Sequence, residues 1–408
     1  MIGETQMRSD LSGTRQSKAT IQAKTGVMAG AKRVLGALVA VAALQGSSVM
    51  AETLNVWFGT TTPRGGASEG IYHATFDTES GKLSSASLAV KAQQPGFLAI
   101  HPSKPVLYAA SGSGVTAYRV QADSEDAKLV SMGSVESGDG GVAHLSTDQT
   151  GNVLLSAQYG GGSTTLYELD DDGSVARRVS VYEHDALLSP AGSGVVGNRQ
   201  NAPHAHWVGT SPDNRFAFTP DLGMDKVVIW KLDPNSPSLT HHGFGEGIPG
   251  GGPRHMKFSP DGKRIYLLNE LTLSVTVFDY DAETGTMTAG QTIAALSEET
   301  KAKERFNSSS EIRVHPTGRF VYSANRGHDS ISVFRVDESG QLHLVEVEAI
   351  RGGWPRNFNL DPSGRWLIAA GRDSHTATVF EVDANTGELT FTRQTQQIPT
   401  PICVLFSE

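Results

Sequence analysis

One short unit recurs along the chain, and it limits the possible folds more than any other feature. Its clearest copy runs from Gly250 to Leu271, G-G-G-P-R-H-M-K-F-S-P-D-G-K-R-I-Y-L-L-N-E-L. Met256 to Ser259 reads as a strand, Pro260-Asp261-Gly262 as a tight turn and Arg264 to Leu268 as the return strand. Proline presets φ and glycine accepts positive φ, so the turn has a physical reason. A tight turn makes the two strands antiparallel. Arg254 and His255, just before the first strand, therefore lie beside Asn269 and Glu270, just after the second.

The unit returns from Phe97, Val142, Ala205, Glu311 and Asn357. Each copy is followed by a third strand rich in β-branched and aromatic residues, such as Ser274–Phe278 or Ser330–Phe334. The interval is roughly 45–65 residues, with three or four strands per unit, which is the period of a propeller blade. A seventh unit is split between the chain ends. Thr53–Gly59 and Gly70–Phe76 read as second and third strands, because the acidic turn Asp77-Thr78-Glu79-Ser80-Gly81 follows them. The first strand they lack is found in Pro399–Phe406. The fold expected is all-β, a seven-bladed β-propeller over 52–408. The C-terminal strand pairs with the N-terminal ones and closes the ring, leaving no large exposed sheet edge. No amphipathic helix pattern stands out beyond the N-terminal segment. The single cysteine, Cys403, falls in the closing strand, so it reads as a buried apolar residue and cannot form an intramolecular disulfide.

Residues 1–51 are expected to lie outside that fold. Ala31-Lys32-Arg33 is a small basic region, and Val34 to Leu44 an apolar run of about eleven residues, too short to span a bilayer. Small residues at Val49 and Ala51 then complete a secretory signal, with cleavage expected after Ala51 and Met28 as a candidate start. The mature chain is thus expected to be periplasmic or secreted. Of 34 basic and 43 acidic residues, six and two fall within 1–51, which leaves 28 against 41 and a formal net charge of −13. An acidic body argues against nucleic acid and anionic membrane as partners.

The hairpin geometry sorts the ionisable residues onto the two faces of the ring. Pro203-His204-Ala205-His206, Pro253-Arg254-His255 and Pro355-Arg356-Asn357 precede first strands. Gln158-Tyr159-Gly160, Asp221-Leu222-Gly223, Asn269-Glu270-Leu271 and Asn325-Arg326-Gly327 follow second strands. All converge on one rim, and the opposite face carries ordinary turn residues. Several arginines on one rim suit an anionic ligand. The bland alternative is that Asp221 and Glu270 pair with Arg254 or Arg326 merely to stitch blades together. The Gly-rich loop from Glu183 to Asn201 leads straight into this rim, and its length marks a lid or binding loop. Gly192-x-Gly194-x-x-Gly197 has no strand before it or helix after it, so it is not a dinucleotide site. His204 and His206 have the spacing of two metal ligands on one strand face, but no third ligand presents itself, and neither metal nor cofactor is expected. His241-His242 reads as a solvated turn.

The stretches R-Q-N-A-P-H-A-H (199–206), P-D-L-G-M-D (220–225), G-G-P-R-H (251–255), L-N-E-L (268–271), S-A-N-R-G-H-D-S-I (323–331) and P-R-N-F (355–358) resemble the seven-bladed propeller lactonase family. Its best-known members are bacterial 6-phosphogluconolactonases of the propeller type, and it also contains fungal enzymes that lactonise a carboxylated muconate. The resemblance covers nearly all of 53–405. It implies a small anionic lactone as substrate and catalytic roles for His204, Arg254, Glu270 and Arg326. His206, Asp221, His255, Arg356 and Arg199 stand beside them as candidate substrate-binding residues. Glu270 and His204 can exchange the roles of acid and base. The 6-phosphogluconolactone pathway is cytosolic, whereas the leader points to export, so a different extracytosolic lactone is also open. Two other readings stand: a non-enzymatic periplasmic propeller binding an anionic ligand or protein partner, and a muconate-type cycloisomerase.

Overall fold

The computed structural model describes residues 53–62, 66–121 and 128–407. The leader read over 1–51 lies outside them. The described chain forms seven antiparallel sheets, each packed on the next around a ring. The inner strands of six blades are Leu98–Ile100, Val142–Thr147, Gly209–Thr210, Pro253–Phe258, Ser308–Val314 and Pro355–Leu360. The seventh is Pro401–Ser407 from the C-terminus. It pairs antiparallel with Thr53–Thr60, which pairs in turn with Gly70–Asp77, so the expected closure is borne out.

Second strands sit between two neighbours in their own sheet and between two flanking blades. They are therefore buried on both faces and read as continuous apolar runs without alternation. Val106–Ala110 and Val153–Gln158 are buried throughout. Outer strands alternate instead, as in Thr286–Ala294, because one face meets water. Large aromatics fill the wedges between blades: Trp57, Trp230, Tyr266, Phe278 and Phe334 are each less than 2% exposed.

Hairpin turns point away from the candidate rim. At Pro260-Asp261-Gly262, Gly262 has φ of 69° and its N–H reaches Ser259 O at 2.9 Å. That left-handed conformation carries no Cβ penalty only for glycine. Pro253–Phe258 and Arg264–Asn269 place Pro253 opposite Asn269, which brings the two charged ends together.

One local expectation is corrected, and one element goes beyond the sequence reading. His241 and His242 lie within the outer strand Ser238–Glu246, not in a turn, and His242 Nε2 lies 2.7 Å from Thr284 O. A helix also forms at Glu298–Lys303, capped by Ser297 Oγ accepting the Thr300 N–H at 3.1 Å. It has fewer than two turns and buries no residue, so it leaves no apolar periodicity for sequence to display.

Candidate active site

The inner strands share a device that sequence does not reveal. In five blades a β-bulge interrupts the pairing of first and second strands near the rim; one, between Ser309 and Ile312, sets Ser310 and Glu311 against Ala324, and in each of the other four a single residue is skipped. Those four fall between Val142 and His144, between Pro253 and His255, between Pro355 and Asn357, and between Pro401 and Cys403. The residues skipped are Ala143, Arg254, Arg356 and Ile402. A bulged residue leaves the ladder, and its side chain is re-aimed. All four line a contiguous recess at the rim end of the channel.

One lobe of that recess is a cavity of about 360 Å³. Arg199, His206, Arg254, Glu270, Arg326 and Arg356 line it, with Tyr159 and residues 141–143 completing the wall. Glu270 is its electrostatic centre, with a side chain 4% exposed. Oε1 accepts from Arg199 Nη2 at 2.8 Å and lies 3.0 Å from Arg326 Nη2, while Oε2 accepts from Arg254 Nη1. Burial alone would raise the Glu270 carboxyl, but Arg254 and Arg326 hold it well below the usual carboxylate range. Backbone carbonyls fix the guanidiniums: Arg254 Nε donates to Ser310 O and Arg326 Nη2 to Ser309 O, both at 2.8 Å.

Arg356 differs from these. Among the described residues its guanidinium makes no hydrogen bond or ion pair, though it faces both lobes of the recess. Burial, then Arg254 and Arg326, push its pKa down to about 9. Four arginines against one carboxylate leave the cavity strongly positive. A cation about 4 Å from an anionic group contributes roughly 4 kcal/mol at an effective dielectric near 20, so an anion there is favoured well beyond what a solvent-exposed pair provides. The adjoining lobe, about 410 Å³, adds Arg372 and Gln94.

The two candidate histidines part company. His206 borders the cavity, edge-on to Tyr159 with ring centroids 5.3 Å apart. Burial first, then Arg254 and His255, hold it well below 6.5, so it is neutral at neutral pH. His204 instead stacks on Tyr159 at 4.7 Å, with Nδ1 held 2.9 Å from Tyr159 O. It buttresses the cavity wall from outside the lining set.

Asp221 and His255 are also placed away from the lining set. Asp221 is fully buried, with Oδ1 accepting the N–H groups of His204, Gly223 and Met224 at 2.7, 3.0 and 3.1 Å. Its Oδ2 lies 2.7 Å from His184 Nδ1, and His184 Nε2 lies 2.9 Å from Thr164 Oγ1. This Thr-His-Asp array has the connectivity of a nucleophile triad, but all three are 0% exposed and border no described cavity. It braces the rim loop. His255 is buried, its Nδ1 lying 3.1 Å from Glu311 Oε1.

Arg199 reaches Glu270 because its loop is pinned. The neighbouring Gln200 is fully buried and its amide donates to Leu222 O at 2.9 Å and to Asp225 Oδ1. The same Asp225 carboxylate accepts the N–H groups of Gly250 and Gly252 at 2.7 and 2.9 Å, which ties the loop to the segment presenting Arg254. Sequence reasoning placed Tyr159 on the rim without giving it a role, and it missed Arg372 and Glu311. Tyr159 had the signal of rim position; Glu311 is brought to His255 only by the contact between neighbouring inner strands.

Among the described residues no group of three or more His, Cys, Asp or Glu is placed to hold a metal ion. A larger cleft of about 670 Å³ opens on the turn face, between Asp261 and Asp337. Its Arg264 is paired with Asp279, which is 72% exposed, so that cleft holds surface charge and no converging set.

Fold and site together define a seven-bladed propeller with a cationic, carboxylate-anchored cavity at the channel mouth. The model of the seven-bladed β-propeller lactonases matches residues 55–406, and the chain belongs to that family. It is 35% identical to a 6-phosphogluconolactonase of Bacillus subtilis, over 84% of this chain and 95% of that protein. A 6-phosphogluconolactonase of Formosa agariphila is 30% identical over 72% of this chain and 82% of its own length. Among solved structures, a periplasmic gluconolactonase of Pseudomonas aeruginosa superposes with a TM-score of 0.79 at 29% identity, covering 88% of this chain and 99% of that one.

Proposed function

We propose that this lactonase hydrolyses a sugar-acid lactone in the rim cavity, with His206 as the proton-transfer group and Glu270 as the anchor of the arginines. The observation that supports this division most is the crowding of Glu270. Three guanidiniums engage its two oxygens and hold it ionised. A carboxylate so stabilised is a weak base and carries no proton to donate. His206, neutral and bordering the same cavity, is suited to both steps.

Water attacks the lactone carbonyl carbon as His206 Nε2 takes one of its protons. The carbonyl oxygen becomes an oxyanion, and Arg254 and Arg326 offset its charge from fixed positions, with no reorganisation at the moment of reaction. The tetrahedral intermediate collapses, the ring C–O bond breaks, and the His206 imidazolium returns the proton to the leaving oxygen. The product hydroxy acid ionises and releases one proton to solvent. Arg356, with no protein acceptor, takes an anionic or hydroxyl-rich part of the substrate away from the reacting ring, and Arg372 lies in the lobe beyond it. Export to the periplasm agrees with the leader pattern and with the periplasmic neighbour from Pseudomonas aeruginosa.

The test is proton release in a pH-stat over a panel of phosphorylated and unphosphorylated sugar lactones. Release above the spontaneous rate with at least one member supports hydrolysis. Tight binding without release points to a binding protein, and loss of muconate absorbance on incubation points to a cycloisomerase.

A further inference from the structure

Behind the cavity, the channel holds a second titratable group that lactone chemistry has not yet used. Glu311, fully buried, is surrounded by donors. His255 Nδ1 lies 3.1 Å from Oε1, the Ile312 N–H reaches Oε1 at 3.0 Å, Asn357 Nδ2 donates to Oε2, and Arg313 Nη2 lies 3.6 Å from Oε2. Arg313 and His255 hold the carboxyl well below its usual range despite burial. An ionised carboxylate only accepts hydrogen bonds. The proton of neutral His255 must therefore sit on Nδ1, which leaves Nε2 as a bare acceptor.

That Nε2 is buried and has no partner among the described residues. Three rings pack on His255: His206 with centroids 5.3 Å apart, His144 at 5.5 Å and Phe97 at 5.7 Å. His144 Nδ1 is engaged by the Val208 N–H at 3.4 Å. His206 Nδ1, like His255 Nε2, is buried and unpartnered. Two orphaned ring nitrogens on packed neighbours are costly in a dry interior, and one water between them would relieve both.

We propose that Glu311 and His255 form a positioning pair that fixes His206 as its Nδ1–H tautomer, through one water held between His255 Nε2 and His206 Nδ1. The water donates one hydrogen to His255 Nε2 and, because a base facing the cavity keeps its lone pair on Nε2, accepts from His206 Nδ1–H. The remaining lone pair of His206 is then on Nε2, the nitrogen left for the cavity. When His206 takes a proton, the fixed negative charge of Glu311 behind it offsets the new positive charge, and no proton passes to Glu311. This rests on the role given to His206 above and extends it to two residues that touch neither substrate nor the reacting atoms.

The test is nitrogen-15 NMR of the wild-type protein labelled at histidine, with the His206 signals identified from their loss in His206→Asn. At about pH 7 the pair requires His206 to be the Nδ1–H tautomer. Finding Nε2–H overturns the proposal, whatever the activity. Glu311→Gln removes the charge and supplies an amide able to donate as well as accept. It is expected to give mixed tautomers at His206 and to lower kcat about tenfold to a hundredfold, with KM within about twofold. A Glu311→Gln protein with a wild-type tautomer and wild-type kcat shows that the pair only packs the channel. If that variant does not fold, the wild-type spectrum still decides. If the wild type hydrolyses no lactone, the catalytic reading fails by itself, and the tautomer result stands separately.

Discussion

Glu270 carries two obligations at once. It neutralises Arg254, Arg326 and Arg199 in a nearly dry place, and it fixes where their guanidiniums stand around the cavity. Removing one member of such a set leaves buried charges uncompensated. Glu270→Gln is therefore expected to destabilise the fold by about 3–5 kcal/mol, read from urea unfolding; a loss below about 1 kcal/mol shows that the arginines find other partners. Arg356 should behave oppositely, since its guanidinium has no protein partner to lose. Arg356→Gln is expected to leave stability within about 0.5 kcal/mol and to raise KM about tenfold or more for an anionic lactone, with kcat little changed, as initial rates will show. At this scale the sequence was partly legible. Arg254 and Glu270 could be paired because a hairpin fixes their register. The resemblance put His204 in the catalytic set and His206 beside it, but the residues alone do not separate the two, because both lie on the same side of an extended segment. Tyr159 separates the two in place, stacking on His204 and meeting His206 edge-on at the cavity.

Strands and turns were legible because their signals are local. Proline-glycine turns, apolar runs and acidic turns each specify their own conformation without reference to the rest of the chain. The bulges were not, because a skipped pair depends on which hydrogen bond the partner strand takes. Yet the bulges aim Arg254 and Arg356. Gly252, just before the bulged Arg254, has φ of 66°, and a Cβ there would meet Leu271 Cγ at 2.7 Å. Gly252→Ala is expected to cost about 1–2 kcal/mol from backbone conformation alone, and to lower kcat by moving Arg254. Thermal melts and initial rates measure the two losses together. Unchanged kcat in that variant separates the bulge from the chemistry.

For the whole molecule, closure joins the chain ends and burial of the channel sets the response to pH. Cys403 lies in the closing strand, 2% exposed, with burial pushing its thiol up to about 12. An aromatic disulfide reagent should leave it unmodified in the native protein and react fully in denaturant; rapid native labelling means the ring opens at the 53–60 seam. Glu270 and Glu311 are held below 4.5, while His144, His206 and His255 are held below 6.5, His255 at about 4. For each group the unfolded chain binds more protons in the window between folded and unfolded values, so stability rises with pH there. The urea midpoint is expected to fall steadily as pH drops from about 7 to 4, first through the histidines and then the carboxylates. A midpoint flat across that range contradicts the burial of these groups. The ring was legible as a whole because seven imperfect copies reinforce one another, whereas Glu311 facing His255 arises only when blades meet. The most direct measurement of the central claim is pH-stat proton release from sugar lactones by the wild type and by His206→Asn. The expected result is release well above the spontaneous rate in the wild type and about a hundredfold less in the variant, with KM nearly unchanged. Equal rates in the two proteins would contradict the assignment of the proton transfer to His206.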